Sequence, residues 1–97
     1  MAIMATSRAL FEQVTTSKSR VTSLDWSSYP IMRFKDSPNV TTVVVDRPEI
    51  ASTGSGEPAT APVAAALANA FFDATGVRIR EAPFTPGRVR AVLKASA

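Results

Sequence analysis

Neither cysteine nor histidine occurs among the 97 residues of this chain. The first absence excludes a disulfide framework, a thiolate nucleophile and any cysteine-ligated zinc or iron–sulfur site. The second removes the commonest general base and the commonest transition-metal ligand. Ser-His-Asp and Cys-His catalytic groupings therefore cannot be assembled within the chain. Aromatic residues are few, with one Trp, one Tyr and five Phe. No apolar run approaches the ~18–20 residues that a membrane-spanning helix needs. The first residues, Met1-Ala2-Ile3-Met4-Ala5-Thr6-Ser7-Arg8, lack a long apolar stretch behind a charged leader. No signal peptide is expected from them, and a cytoplasmic location is the default.

What remains describes one small globular domain over residues 1–97. Hydrophobic residues make up 45% and charged residues 20%, with a mean hydropathy of +0.08, which fits a packed rather than a disordered chain. A domain of this length buries roughly 60–68% of the surface its unfolded form exposes. That suffices for one modest core and falls short of a core plus an elaborate cavity. The formal net charge of +3 makes the surface mildly basic.

Local patterns give an α+β expectation: a small two-layer domain with a mixed β-sheet and two main helices. Residues 6–12 read as a short helical lead-in. Glu12–Thr16 and Arg20–Leu24 are rich in β-branched residues around the polar turn Ser17-Lys18-Ser19, the pattern of a hairpin. Trp26, Tyr29 and Ile31 follow in a partly extended stretch, where Tyr29-Pro30 disfavours helix. After the turn signal Asp36-Ser37-Pro38-Asn39, Val40–Asp46 predicts a strand, and its three consecutive valines predict burial on both faces. Residues 47–60 form a long connection. The sequence then predicts a helix over 61–74, capped by Thr60 and stopped by Gly76, with Val63, Leu67, Ala70, Phe71 and Ala74 on one face. Val77–Glu81 alternates apolar and charged residues like a half-exposed strand, so a right-handed crossover between parallel strands is available. Thr85-Pro86 caps a final helix carrying Val89, Val92 and Leu93 on one face. No internal repeat or low-complexity tract is present.

Two constellations bear on chemistry. In Gly54-Ser55-Gly56-Glu57-Pro58-Ala59-Thr60, two glycines permit unusual backbone angles, and the loop leads into a predicted helix amino terminus. Unpaired N–H groups there favour negative charge, either that of Glu57 itself or that of a bound anion. A flexible turn that caps a helix explains the same residues. No Gly-Lys-Ser/Thr follows, so this is not a phosphate-binding loop of the Walker type, and the dinucleotide fingerprint is missing as well. The second constellation is Arg78, Arg80, Arg88, Arg90 and Lys94. It reads as a solvated face or a protein contact more readily than as a nucleic-acid footprint, because Glu81 dilutes it and no aromatic stacking run accompanies it. Trp26, Tyr29 and Phe34 read as core or interface anchors. Asp25, Asp36, Asp46 and Glu49 have no metal-ligand spacing, and no metal site is expected.

Longer stretches carry a family resemblance. Thr53-Gly54-Ser55-Gly56-Glu57-Pro58-Ala59-Thr60-Ala61-Pro62-Val63-Ala64, continued by Ala68-Asn69-Ala70-Phe71-Phe72-Asp73-Ala74-Thr75-Gly76-Val77-Arg78-Ile79-Arg80, resembles the carboxyl-terminal end of molybdenum hydroxylase large subunits. It looks closest to the isoquinoline 1-oxidoreductase beta-subunit and aldehyde oxidase/xanthine dehydrogenase type. Asp25-Trp26-Ser27-Ser28-Tyr29-Pro30-Ile31-Met32-Arg33-Phe34, followed by Ser37-Pro38, resembles the segment that precedes this motif. The likeness spans about residues 8–94.

The resemblance implies that Glu57 is the catalytic residue, a general base in hydroxylation of a carbon next to nitrogen or of an aldehyde carbon. It implies that Gly54, Ser55 and Gly56 form the backbone that approaches the molybdopterin cofactor. The family's upstream cofactor-binding segments and its iron–sulfur cysteines are absent here. The chain is thus expected to hold no cofactor alone and to be inactive alone. The resemblance leaves open a fragment, a separately encoded subunit that completes a split enzyme, or a detached interaction domain that kept the fold without catalysis. Its expected partner is the remainder of a large subunit or a second copy of itself, the latter suggested by an alanine-rich helix with apolar atoms nearly all round.

Overall fold

A computed structural model describes residues 1–97. Its regular elements are helix α1 (Ala2–Leu10), strands β1 (Thr16–Ser17) and β2 (Arg20–Val21), and helices α2 (Val63–Thr75) and α3 (Pro86–Ala95). Short 3₁₀ turns occupy Phe34–Asp36 and Glu57–Thr60. Helices with one small antiparallel sheet make this an α+β domain, as the sequence predicts.

The element α1 is longer at its start than the predicted lead-in. Its sequence is dominated by good helix formers, Arg8 sits in the last turn where the helix dipole favours a cation, and the Phe11 N–H closes the end on the Ser7 carbonyl at 2.8 Å. Ala5 and Ala9, one helical turn apart, are buried. Their small side chains let α1 lie close against α2 and the Glu57–Thr60 turn. At its far end, the Ala9 carbonyl accepts a hydrogen bond from the Phe84 N–H at 2.7 Å, which ties the carboxyl-terminal third to this helix. Leu10, Leu67, Phe71, Ile79, Phe84 and Val89 gather there around an apolar cavity of about 130 Å³.

The hairpin forms, but with only two residues per strand. Thr16 pairs with Val21 and Ser17 with Arg20, and Lys18 takes the turn in the left-handed region at φ 55°. Outside the ladder the two arms stay linked, since the Thr22 N–H donates to the Thr15 carbonyl at 2.8 Å. The two later helices follow their sequence signals closely. Gly76 ends α2 at φ 71°, with its N–H on the Phe72 carbonyl at 2.7 Å. Thr85 caps α3, its hydroxyl accepting from the Arg88 N–H.

Three local expectations fail, each for a physical reason. Val40–Asp46 joins no ladder, because a strand is stabilised by its neighbours and the hairpin offers no edge of comparable length. Val77–Glu81 keeps its alternation, with Ile79 buried and Arg78 and Arg80 exposed, yet it packs as an irregular segment without strand pairing. The sheet is consequently antiparallel only, and no crossover between parallel strands exists. Thr60 does not cap α2. A 3₁₀ turn intervenes, Pro62 stands at the helix start, and the Thr60 hydroxyl is buried without a hydrogen-bond partner.

The aromatic anchors are not in a core. Phe34 is 98% exposed and Trp26 68%, while Tyr29 is half-buried. Along α2, Val63, Leu67 and Phe71 are half-buried and Ala70 and Ala74 exposed, so only the larger members of the expected face are covered.

Candidate functional site

The Gly54–Glu57 segment lies on the surface. Glu57 opens the Glu57–Thr60 turn and is exposed, and its side chain has no hydrogen bond or ion pair to any other residue of the chain. It does not sit at the start of α2, which begins at Val63. The dipole of α2 therefore adds little at Glu57, since that effect fades within the first turn. Gly54 and Ser55 are exposed and Gly56 is half-buried. Neither Gly54 nor Gly56 uses a positive φ, so the expected unusual backbone angles are not taken up. A Cβ built at Gly54 meets nothing within 4 Å, and one at Gly56 meets only the Met1 side chain at 3.7 Å, an ordinary contact. Packing within this chain thus does not require glycine at either position, and at Gly54 the bare backbone faces open space.

A molybdopterin group needs an enclosing pocket and several polar contacts. No cavity of the chain includes Gly54, Ser55, Gly56 or Glu57. No three Asp or Glu side chains converge to hold a metal ion. A single exposed carboxylate and an open loop do not hold such a group by themselves.

A polar cluster that sequence reasoning missed lies between α1 and the 29–32 stretch. Ser7, 6% exposed, donates to Glu12 Oε1 at 2.5 Å and accepts from the Met32 N–H at 3.0 Å. The Tyr29 hydroxyl donates to Glu12 Oε2 at 2.8 Å. This hydrogen bond to a carboxylate, reinforced by desolvation and the Glu12 charge, pushes the Tyr29 phenol above its ordinary value. A cavity of about 340 Å³ borders the cluster, with Ile3, Met4, Trp26 and Ile31 among its walls and Arg8 at its rim. Ser7, Glu12 and Tyr29 share no spacing that a sequence pattern would reveal. The available signal is a serine at the centre of a short apolar helix, which needs a partner if buried.

Nearby, Asp25 Oδ1 collects the hydroxyls of Ser27 and Ser28, both at 2.7 Å, and their N–H groups at 3.1 and 2.8 Å. Those donors hold the Asp25 carboxyl well below the usual carboxylate range, the Ser27 hydroxyl contributing most. The carboxyl-terminal cations are partly committed to the chain itself. Arg78 lies over the Phe72 ring at 3.6 Å and donates to Asn69, Arg88 pairs with Glu81 at 3.0 Å, and Arg90 donates to the Pro86 carbonyl. Without a strand at 77–81, Arg78 and Arg80 do not share a sheet face.

No family model matches the chain. Among curated proteins, the chain is 50% identical over 91 residues to a subunit of nicotinate dehydrogenase from Pseudomonas putida. That match covers 94% of this chain and 8% of the length of the relative. A stretch of 91 residues within 97 necessarily takes in Glu57 and the glycines before it, along with Glu12, Asp25 and Tyr29. The match supports the molybdenum hydroxylase resemblance at the level of the family rather than any one type within it.

Proposed function

We propose that this chain is the carboxyl-terminal segment of a molybdenum hydroxylase large subunit, inactive alone, which contributes Glu57 as general base once joined to the rest of that subunit. The observation that carries the reading is the 50% identity over nearly the whole chain to a small part of a much longer dehydrogenase subunit. The relative's name supports a substrate class, an N-heterocyclic acid such as nicotinate, in place of an aldehyde. In this reading the partner holds the molybdopterin, which supplies the redox chemistry when bound. This chain supplies a carboxylate and a glycine backbone. The isolated chain leaves both Glu57 oxygens without intramolecular partners, so they are free to accept a proton from a group brought against them. Gly54 offers main chain with no side chain in the way of a close approach.

Glu57→Gln tests the assignment. The amide keeps the shape and removes the basic oxygen. An exposed side chain without partners predicts a stability change within about 0.5 kcal/mol. Loss of a general base predicts a fall of roughly 100–10,000-fold in nicotinate hydroxylation by the assembled enzyme. Chemical denaturation of the chain and turnover of the assembly read the two separately. Full activity in the Gln variant would refute the base assignment, and unfolding by several kcal/mol would make Glu57 a structural residue.

A further inference from the structure

The segment from Ser37 to Arg47 runs without a turn or bend, and none of the chain's backbone hydrogen bonds outside the regular elements involves residues 40–46. Val43, Val44 and Val45 are 79%, 87% and 74% exposed. Successive side chains of a strand point to opposite faces, so Val43 and Val45 would face one way and Val44 the other. An apolar stretch of this kind belongs to a strand with cover on both faces. Here it has neither faces covered nor edges paired.

The whole chain shows the same deficit. Its accessible surface is 7740 Å², against about 5,400 Å² for a folded monomer of this mass. Its radius of gyration is 16.7 Å, against about 12.5 Å for a compact domain of this length. The excess of roughly 2,300 Å² on this chain alone, matched on a partner, is of the size of permanent interfaces, about 2,000–5,000 Å² in total.

Resting on the reading above that the chain completes a large subunit, we propose that Val40–Asp46 docks as an interior strand into a β-sheet of the remaining large-subunit polypeptide. Main-chain hydrogen bonds on its edges would give affinity, and apolar layers above and below would cover Val43, Val44 and Val45. A second copy of this chain fits less well. Two such segments paired with each other make a two-stranded ribbon, which leaves both faces open and is marginal in water. The relative, of which this chain matches only 8%, is long enough to supply a neighbouring strand on each side and the covering layers.

The test co-expresses the 97-residue chain with the Pseudomonas putida nicotinate dehydrogenase subunit lacking its matched stretch. Hydrogen exchange is followed in the free chain and in the complex. The expected result is a complex in which the amides of residues 40–46 exchange about a hundredfold or more slowly than in the free chain. Val44→Pro, which deletes one ladder donor, and Val44→Asp, which keeps the donor and charges one face, should each abolish capture. Neither should change the circular dichroism of the free chain, because the segment bonds to nothing there. Glu57→Gln should be captured like the parent. A complex with residues 40–46 still exchanging freely, or one that tolerates both Val44 variants, overturns strand docking and leaves large-subunit membership standing. No complex at all overturns both. Slow exchange at 40–46 in a dimer of the free chain overturns the proposal in favour of self-pairing.

Discussion

Ser7→Ala removes a buried, hydrogen-bonded hydroxyl and measures what holds α1 to the 29–32 stretch. The hydroxyl makes two hydrogen bonds, one donated to Glu12 Oε1 at 2.5 Å and one accepted from the Met32 N–H at 3.0 Å. A hydrogen bond to a charged group contributes about 1.5–3 kcal/mol. The lower end applies here, because Glu12 is only half-buried and still accepts from Tyr29. The Met32 N–H, left without its acceptor, adds about 1 kcal/mol. The cost is therefore about 2–3 kcal/mol, with almost no packing change to offset it. For a chain of this length total stability begins near 5 kcal/mol, so one hydroxyl would take about half of it. With a urea m-value of about 1–1.5 kcal/mol/M, the midpoint should fall by roughly 2 M. The single Trp26, on the wall of the cavity beside the cluster, is a natural fluorescence reporter. Ser55→Ala, at an exposed position with no bonds, is the control and should stay within about 0.5 kcal/mol. A Ser7→Ala midpoint as close to the parent as that of the control would refute the view that this cluster holds the amino-terminal half together.

Two further predictions concern pH. Tyr29 is the only tyrosine, so phenolate absorbance titrates it alone; its midpoint should lie above 10.0 and return toward that value in Glu12→Ala. Because the folded value is raised, the contact stabilises fully below the ordinary phenol value and is lost as pH rises through the folded one, and a midpoint at or below 10.0 would contradict the Glu12 contact. Asp25 has the opposite sign: its lowered carboxyl supports the Asp25–Tyr29 turn above the ordinary value of 3.8 and loses that support as pH falls toward its own, lower midpoint. Carboxyl NMR titration that places Asp25 at the ordinary value, or that is unchanged by Ser27→Ala, would sink that account.

The sequence by itself determined the features that depend on near neighbours. The stop of α2 at Gly76 and the cap of α3 at Thr85 are satisfied within four residues, and the hairpin turn at Lys18 within six. The alternation at 77–81 told which side chains would be buried, because that depends on direction along the chain. It did not tell whether a ladder would form, because a ladder depends on a second strand. The same limit explains Val40–Asp46. Its valines state a need for neighbours on both faces and both edges, and this chain contains none to meet it. At the candidate site the local pattern offered a capping turn or an anion site, and the catalytic role of Glu57 was legible only as a resemblance. Tertiary structure placed the glycines and Glu57 on an open surface, with Glu57 six residues ahead of a helix that starts later than expected. Tertiary structure alone also brought Ser7, Glu12, Tyr29 and Met32 together. A buried hydroxyl must find its partners wherever packing puts them, and packing is fixed by surfaces that no short stretch of sequence contains.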